Sequence, residues 1–162
     1  MKKKPNQESL KVLKEETSGN KTIFIKGNVP SLKNGKIKTA RGIFSSKTVK
    51  KYLNQLGIQA YSTSKKTVKG YVNKPNLIEN LRNEIEKYLS EQSPPYEIGF
   101  HFVRDSKRKF DFNNANQIIA DLFVAHDLIE DDNMDFFIPY ALKIEDRYYT
   151  VDKENPGVYI KF

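Results

Sequence analysis

Lys107-Arg108-Lys109-Phe110-Asp111-Phe112-Asn113-Asn114 opens the stretch around which the chain is organised, and Leu128-Ile129-Glu130-Asp131-Asp132-Asn133-Met134-Asp135 closes it. Between the two, Ala115, Ile118, Ile119, Leu122 and, as a partial member, His126 recur at the spacing of one helical face. At about 100° per residue, Asn114, Gln117 and Asp121 fall together on the opposite side. The spacing predicts a helix over 114–126 with a buried stripe, a polar stripe and acids beyond both ends. Such a helix is about 20 Å long. The steps from His126 to Asp132 span at most about 20 Å when extended. Asp131 and Asp132 can therefore reach Asp111 only if the chain doubles back along the helix with almost no slack.

Carboxylates held close together raise one another's pKa unless a cation neutralises them. Hard oxygen donors without cysteine or paired histidine favour Mg²⁺, or Mn²⁺, over zinc. The basic triplet Lys107, Arg108 and Lys109 stands directly before Asp111 and suits an anionic substrate such as a phosphodiester. This pattern points to metal-assisted phosphodiester hydrolysis, in which the ion polarises a phosphoryl oxygen and activates water. A solvated acidic loop at a helix C-terminus would carry the same residues.

Order and spacing sharpen the reading. Asp111-x-Asn113-Asn114, Gln117, Asp121 and the pair Asp131-Asp132 resemble the RusA family of Holliday junction resolvases. That family's pattern is Asp-x-Asp-Asn-x-x-Lys-x-x-x-Asp with an Asp-Asp pair about ten residues on. A second match lies upstream, where Pro30-Ser31-Leu32-Lys33-Asn34 is similar to the family's Pro-Ser-x-x-Asn loop. The resemblance spans roughly residues 21–162 and is weakest over 43–92. It implies a Mg²⁺-dependent, structure-selective endonuclease that cuts four-way DNA junctions as a homodimer, with no small-molecule cofactor. Catalytic roles fall to Asp111, Asn113, Gln117 and Asp132. Asp111, Asn113, Asp131 and Asp132 would ligate the metal, with Asp121 an outer or extra ligand. Lys33, Asn34, Lys36, Lys38, Arg41, Lys107, Arg108 and Lys109 would contact DNA. Two departures stand out. Asn113 replaces a carboxylate with a neutral oxygen donor, and Gln117 replaces a lysine that the family uses on phosphate. A branched-DNA-binding protein with weak or lost cleavage is the alternative that these two substitutions leave open.

Charge supports a polyanion partner. The net charge is +8, but residues 1–75 hold 18 of the 28 Lys and Arg and only 3 of the 20 Asp and Glu. A basic half joined to an acidic half suits a phosphate-binding surface beside a metal site; solubilising surface lysines would leave the same composition. There is no cysteine, which excludes disulfides and thiolate metal sites and fits a reducing cytoplasm; the family resemblance implies that of a bacterium or a phage-infected bacterial cell. No apolar run is long enough to cross a membrane, and no hydrophobic signal segment stands at the start.

Outward from the central stretch, residues 1–20 read as a flexible basic tail and 21–162 as one domain. Lys21–Lys26 is a strand, followed by a turn-rich basic loop to Gly42. Ser46 caps a helix from Lys47 to about Leu56, with Val49, Tyr52, Leu53 and Leu56 on its apolar face. Asn76 caps a second helix that runs to about Glu91 and is ended by Ser93-Pro94-Pro95. Tyr96–Arg104 alternates as a strand and delivers the chain to the basic triplet. His101 reads there as a surface or core residue. Phe136–Leu142 and Tyr148–Val151 are strands flanking a Glu145-Asp146-Arg147 turn, and Val158–Phe162 is a closing strand. Strands and helices mix without a repeating βαβ order, so the expected class is α+β, a small mixed sheet packed with about three helices.

Overall fold

The computed structural model describes residues 21–31, 36–39, 42–56 and 77–162. The proposed tail, residues 1–20, lies outside them, as do Lys33, Asn34 and Arg41. The elements run β1 (Thr22–Lys26), β2 (Lys36–Thr39), β3 (Gly42–Ser45), α1 (Lys47–Gln55), α2 (Leu77–Ser90), β4 (Tyr96–Arg104), α3 (Phe112–Ala125), β5 (Phe137–Ala141), β6 (Tyr149–Val151) and β7 (Gly157–Lys161). The class is α+β: among the described residues, a mixed five-stranded sheet with three helices. No helix among the described residues is long and apolar enough to cross a membrane.

The turn-rich region after β1 contains more order than its composition suggests. Lys36–Thr39 and Gly42–Ser45 pair antiparallel as a separate two-stranded ladder, with Lys36 opposite Ser45 and Lys38 opposite Ile43.

In the main sheet β7 lies between β1 and β4, antiparallel to both. The far edge of β4 is shared. β5 pairs parallel with Tyr96–Phe100 and β6 pairs parallel with Phe102–Arg104. The two strands therefore do not pair with each other across the Glu145-Asp146-Arg147 turn. They lie end to end along one neighbour, and residues 142–148 bulge out between them. Ile144 and Arg147 close that excursion with two backbone hydrogen bonds of 2.9 Å, and Glu145 and Asp146 both take positive φ. Asp and Glu at these positions adopt a left-handed conformation that the two-residue turn requires.

The described helices α1, α2 and α3 share a core with one face of the sheet. Ile23, Ile25, Ile98, Phe100, Phe102, Val158 and Ile160 meet Tyr52 and Leu56 of the α1 region, Ile78, Ile85 and Leu89 of α2, and Ile118, Ile119, Leu122 and Phe123 of α3. The apolar stripe read in the central stretch is the buried face of α3, including His126. A hydrogen-bonded group ties the helix ends together. Arg82 donates to the His126 carbonyl at 2.8 Å, His126 Nδ1 lies 3.2 Å from Glu79 Oε1, and its Nε2 lies 3.2 Å from the Leu56 carbonyl. The Arg82 guanidinium holds the Glu79 carboxyl below its usual range.

The opposite face of the sheet is covered too. Val103, Ile144 and Tyr159 form a smaller cluster with Phe24 and Leu142, and the Tyr140 ring lies over Gly99. His101 is completely buried at the gap between β5 and β6. Its Nδ1 lies 3.2 Å from the Leu142 carbonyl and its Nε2 3.2 Å from Thr150 Oγ1. A neutral ring, donating through Nδ1 and accepting the threonine hydroxyl at Nε2, satisfies both and pins the two ends of the excursion. His101 is thus a core residue.

Two outcomes follow. A Cβ on Gly157 would meet the Phe24 ring and come within 2.6 Å of the Ile25 carbonyl, whereas one on Gly99 would meet only the end of the exposed Tyr140 side chain. Gly157→Ala should cost about 2 kcal/mol and Gly99→Ala under about 1 kcal/mol in denaturant unfolding, because backbone cannot move aside as a tyrosine can. Burial lowers the His101 pKa from its ordinary 6.5, so on acidification the unfolded chain takes up a proton that the folded one resists. Stability should fall as pH drops below about 6.5, and His101→Gln should flatten that slope in unfolding measured between pH 7 and 5.

Candidate functional site

The site is built on α3. The helix starts two residues earlier than its polar stripe suggests, because Asp111 is its N-cap: Oδ1 accepts from the backbone N–H of Asn113 at 3.0 Å and of Asn114 at 3.4 Å. Phe112 adds apolar anchorage in the first turn, its ring set edge-on to Phe102 at 5.9 Å. Lys107, Arg108 and Lys109 are exposed in the connection from β4 to α3.

At the other end the chain reverses through a paired backbone motif. Asp127 N–H donates to the Val124 carbonyl at 3.1 Å and Leu128 N–H to the Phe123 carbonyl at 2.9 Å. Asp127 takes φ 54°, the left-handed residue that this helix ending requires. The buried Leu128 and Ile129 then fix the returning strand of chain against the core. As a result Asp132 comes back beside the middle of the helix. Gln117 Nε2 donates to Asp132 Oδ2 at 2.5 Å and to Asp121 Oδ1 at 2.9 Å. One amide group therefore bridges two carboxylates from the polar stripe and the returning loop.

The other acids are placed differently. Asp131 turns into its own loop, Oδ1 accepting from Asp132 N–H at 2.8 Å and Oδ2 from the Asn133 amide at 2.9 Å. Asp111 lies six residues before Gln117, about 9 Å along the helix axis. Asn113 is exposed in the first turn. Among the described residues, no three His, Cys, Asp or Glu side chains converge as a metal-holding group. Of the residues proposed for DNA contact, Lys36 and Lys38 lie in β2, apart in sequence from the triplet. An open cleft of about 370 Å³ borders the same returning loop, lined in part by Tyr96, Leu128 and Glu130, but none of the candidate carboxylates lines it.

The chain matches no protein-family model, and no curated protein or solved structure matches it. The chemistry of the site is therefore read from its own donors. Asp121 Oδ1 and Asp132 Oδ2 both lie within 2.9 Å of one nitrogen atom. With Gln117 in place, the pair is bridged by a neutral donor with two N–H groups, one for each carboxylate.

Sequence reasoning assigned Gln117 to phosphate and did not foresee this bridge; the i, i+4 spacing of Gln117 and Asp121 was the available signal. Gln117→Leu should release the 131–133 loop, with faster amide exchange at Asp132 and a loss of about 1 kcal/mol, modest because both hydrogen bonds are exposed to solvent.

Proposed function

We propose that this chain is a RusA-like, Mg²⁺-dependent endonuclease that cuts four-way DNA junctions as a homodimer. One observation carries the reading: the chain doubles back so that Asp132 and Asp121 share the Gln117 amide on the polar face of α3, the helix that Asp111 caps directly after an exposed basic triplet. Asp121 and Asp132, which share the Gln117 amide, would supply oxygens for a divalent ion, with Asp111, Asn113 and Asp131 as further donors. The bound ion supplies polarisation of a phosphoryl oxygen and activation of water. Lys107, Arg108 and Lys109 hold phosphates by charge and position the strand without reading bases.

A second reading is favoured by Gln117. Its amide holds the two carboxylates where the family pattern has a lysine, and it neutralises neither them nor a phosphate. A junction-binding protein with weak or lost cleavage fits that geometry.

A labelled four-way junction, incubated with the protein with and without Mg²⁺ or Mn²⁺, separates the two. The nuclease reading expects paired nicks that depend on the ion, and Asp132→Asn should lower the rate at least about 100-fold while binding persists. Salt-sensitive binding without product in the native chain, and product gained in the Asn113→Asp, Gln117→Lys double variant, would establish the second reading instead. Neither binding nor cutting would overturn both.

A further inference from the structure

Three of the five large apolar side chains exposed among the described residues fall within 148–151, at or beside β6: Tyr148 at 59%, Tyr149 at 45% and Val151 at 40%. Single exposed apolar residues are ordinary, but a cluster of them rimmed by charge marks a contact surface. Tyr149 and Val151 stand opposite Phe102 and Arg104 in the ladder, so both project from the sheet face that the helices cover. There the Tyr149 and Phe110 rings meet almost perpendicularly, with 5.4 Å between their centroids. Phe110 in turn sets its ring edge-on to the fully buried Phe102 at 5.7 Å and lies under the Arg104 guanidinium at 4.8 Å. Tyr149 is thus the outer member of an aromatic row that starts in the core and ends in solvent. The residue before Phe110 is Lys109, last of the exposed basic triplet, and the residue after it is Asp111. An anchored, half-exposed ring therefore borders three exposed cations at the start of α3. Between Arg104 and Phe110 the one acid is Asp105, whose carboxylate accepts from the Ser106 hydroxyl, so that segment holds four cations against one anion. The 143–147 turn is balanced, with Lys143 and Arg147 against Glu145 and Asp146.

We propose that Tyr149, backed by Phe110, is a stacking platform for one unpaired nucleobase whose flanking phosphates lie on Lys107, Arg108 and Lys109. It rests on the nucleic-acid part of the proposed function, but on neither metal binding nor cleavage. Chemistry favours a nucleotide over other anions. A single strand alternates a flat apolar base with a phosphate at every unit, which matches a ring set beside cations. An acidic peptide supplies the charge with no flat face at regular spacing. The Tyr149 backbone is held in the ladder with β4 and its ring rests on Phe110, so little freedom is lost when a base docks. Tyr148 is less suited, because the Lys143 ammonium already lies 5.9 Å from its ring centroid. A paired duplex keeps its base faces inside the stack and offers this surface only phosphates. A branch point, a flap or a single strand offers both. Tyr149 therefore gives the chain a preference for unpaired DNA that phosphate contacts by the triplet do not supply.

The test compares binding of the full chain, by fluorescence anisotropy without divalent ion, to labelled oligothymidylate, an abasic strand of equal length and charge, and a blunt duplex. The native chain should hold oligothymidylate about tenfold more tightly than the abasic strand. Tyr149→Ala should remove that margin and leave abasic and duplex binding unchanged. Tyr149→Leu keeps an apolar side chain against Phe110 but has no π face, so it should act like the alanine variant, whereas Tyr149→Phe should restore native behaviour. Equal native affinity for the two strands, or a Tyr149→Leu chain that retains the margin, would overturn the stacking proposal while leaving phosphate binding by the triplet intact. Poly-glutamate binding that Tyr149→Leu weakens by the same factor would overturn it in favour of an acidic protein partner. Binding to none of the three DNAs would defeat the nucleic-acid reading itself, and the proposal with it.

Discussion

The backbone of β4 is hydrogen-bonded along both edges and its side chains from Ile98 to Val103 are buried on both faces. A nine-residue strand enclosed in this way leaves little freedom to whatever adjoins it. Phe110 and Phe112 reach back to stack edge-on against Phe102, so the turn from strand to helix is anchored by aromatic contact on each side of Asp111. The exposed basic triplet thus lies between the buried end of β4 and the aromatic-anchored start of α3.

The two ends of α3 solve different problems. At its start, one carboxylate satisfies two of the helix's free N–H groups, which commits an oxygen of Asp111 to structure before any chemistry. At its end, the left-handed Asp127 and the buried His126 turn the chain back, and the Glu79–Arg82 pair secures that corner from α2. The meeting of Asp132 with Gln117 is the product of this corner. Site geometry on α3 thus depends on contacts that lie a full helix length away from Asp111.

Much of the architecture was legible because its signals are local. The alternation of Tyr96–Arg104, the Ser46 cap and the apolar stripe of α3 each report one element, and each stands where the pattern placed it. What escaped were relations between distant segments. The end-to-end arrangement of β5 and β6 depends on which neighbour they share, and the flanking strands alone do not encode that. Asp127 carries out a role usually given to glycine, so no punctuation marked the reversal. His101 looked ambiguous because its partners, Leu142 and Thr150, lie more than forty residues on. Of the candidate site, the polar stripe and its acids were readable, while the amide bridge required knowing how far the returning loop travels.

The shared edge of β4 has one more effect. The outer border of the sheet on that side is made of a five-residue and a three-residue strand, broken by the 142–148 excursion, and Pro139 lacks an N–H to offer a newcomer. Interrupted borders of this kind resist lateral addition of a foreign strand. The chain can therefore keep exposed Tyr148, Tyr149 and Val151 along that border without inviting fibril-like stacking.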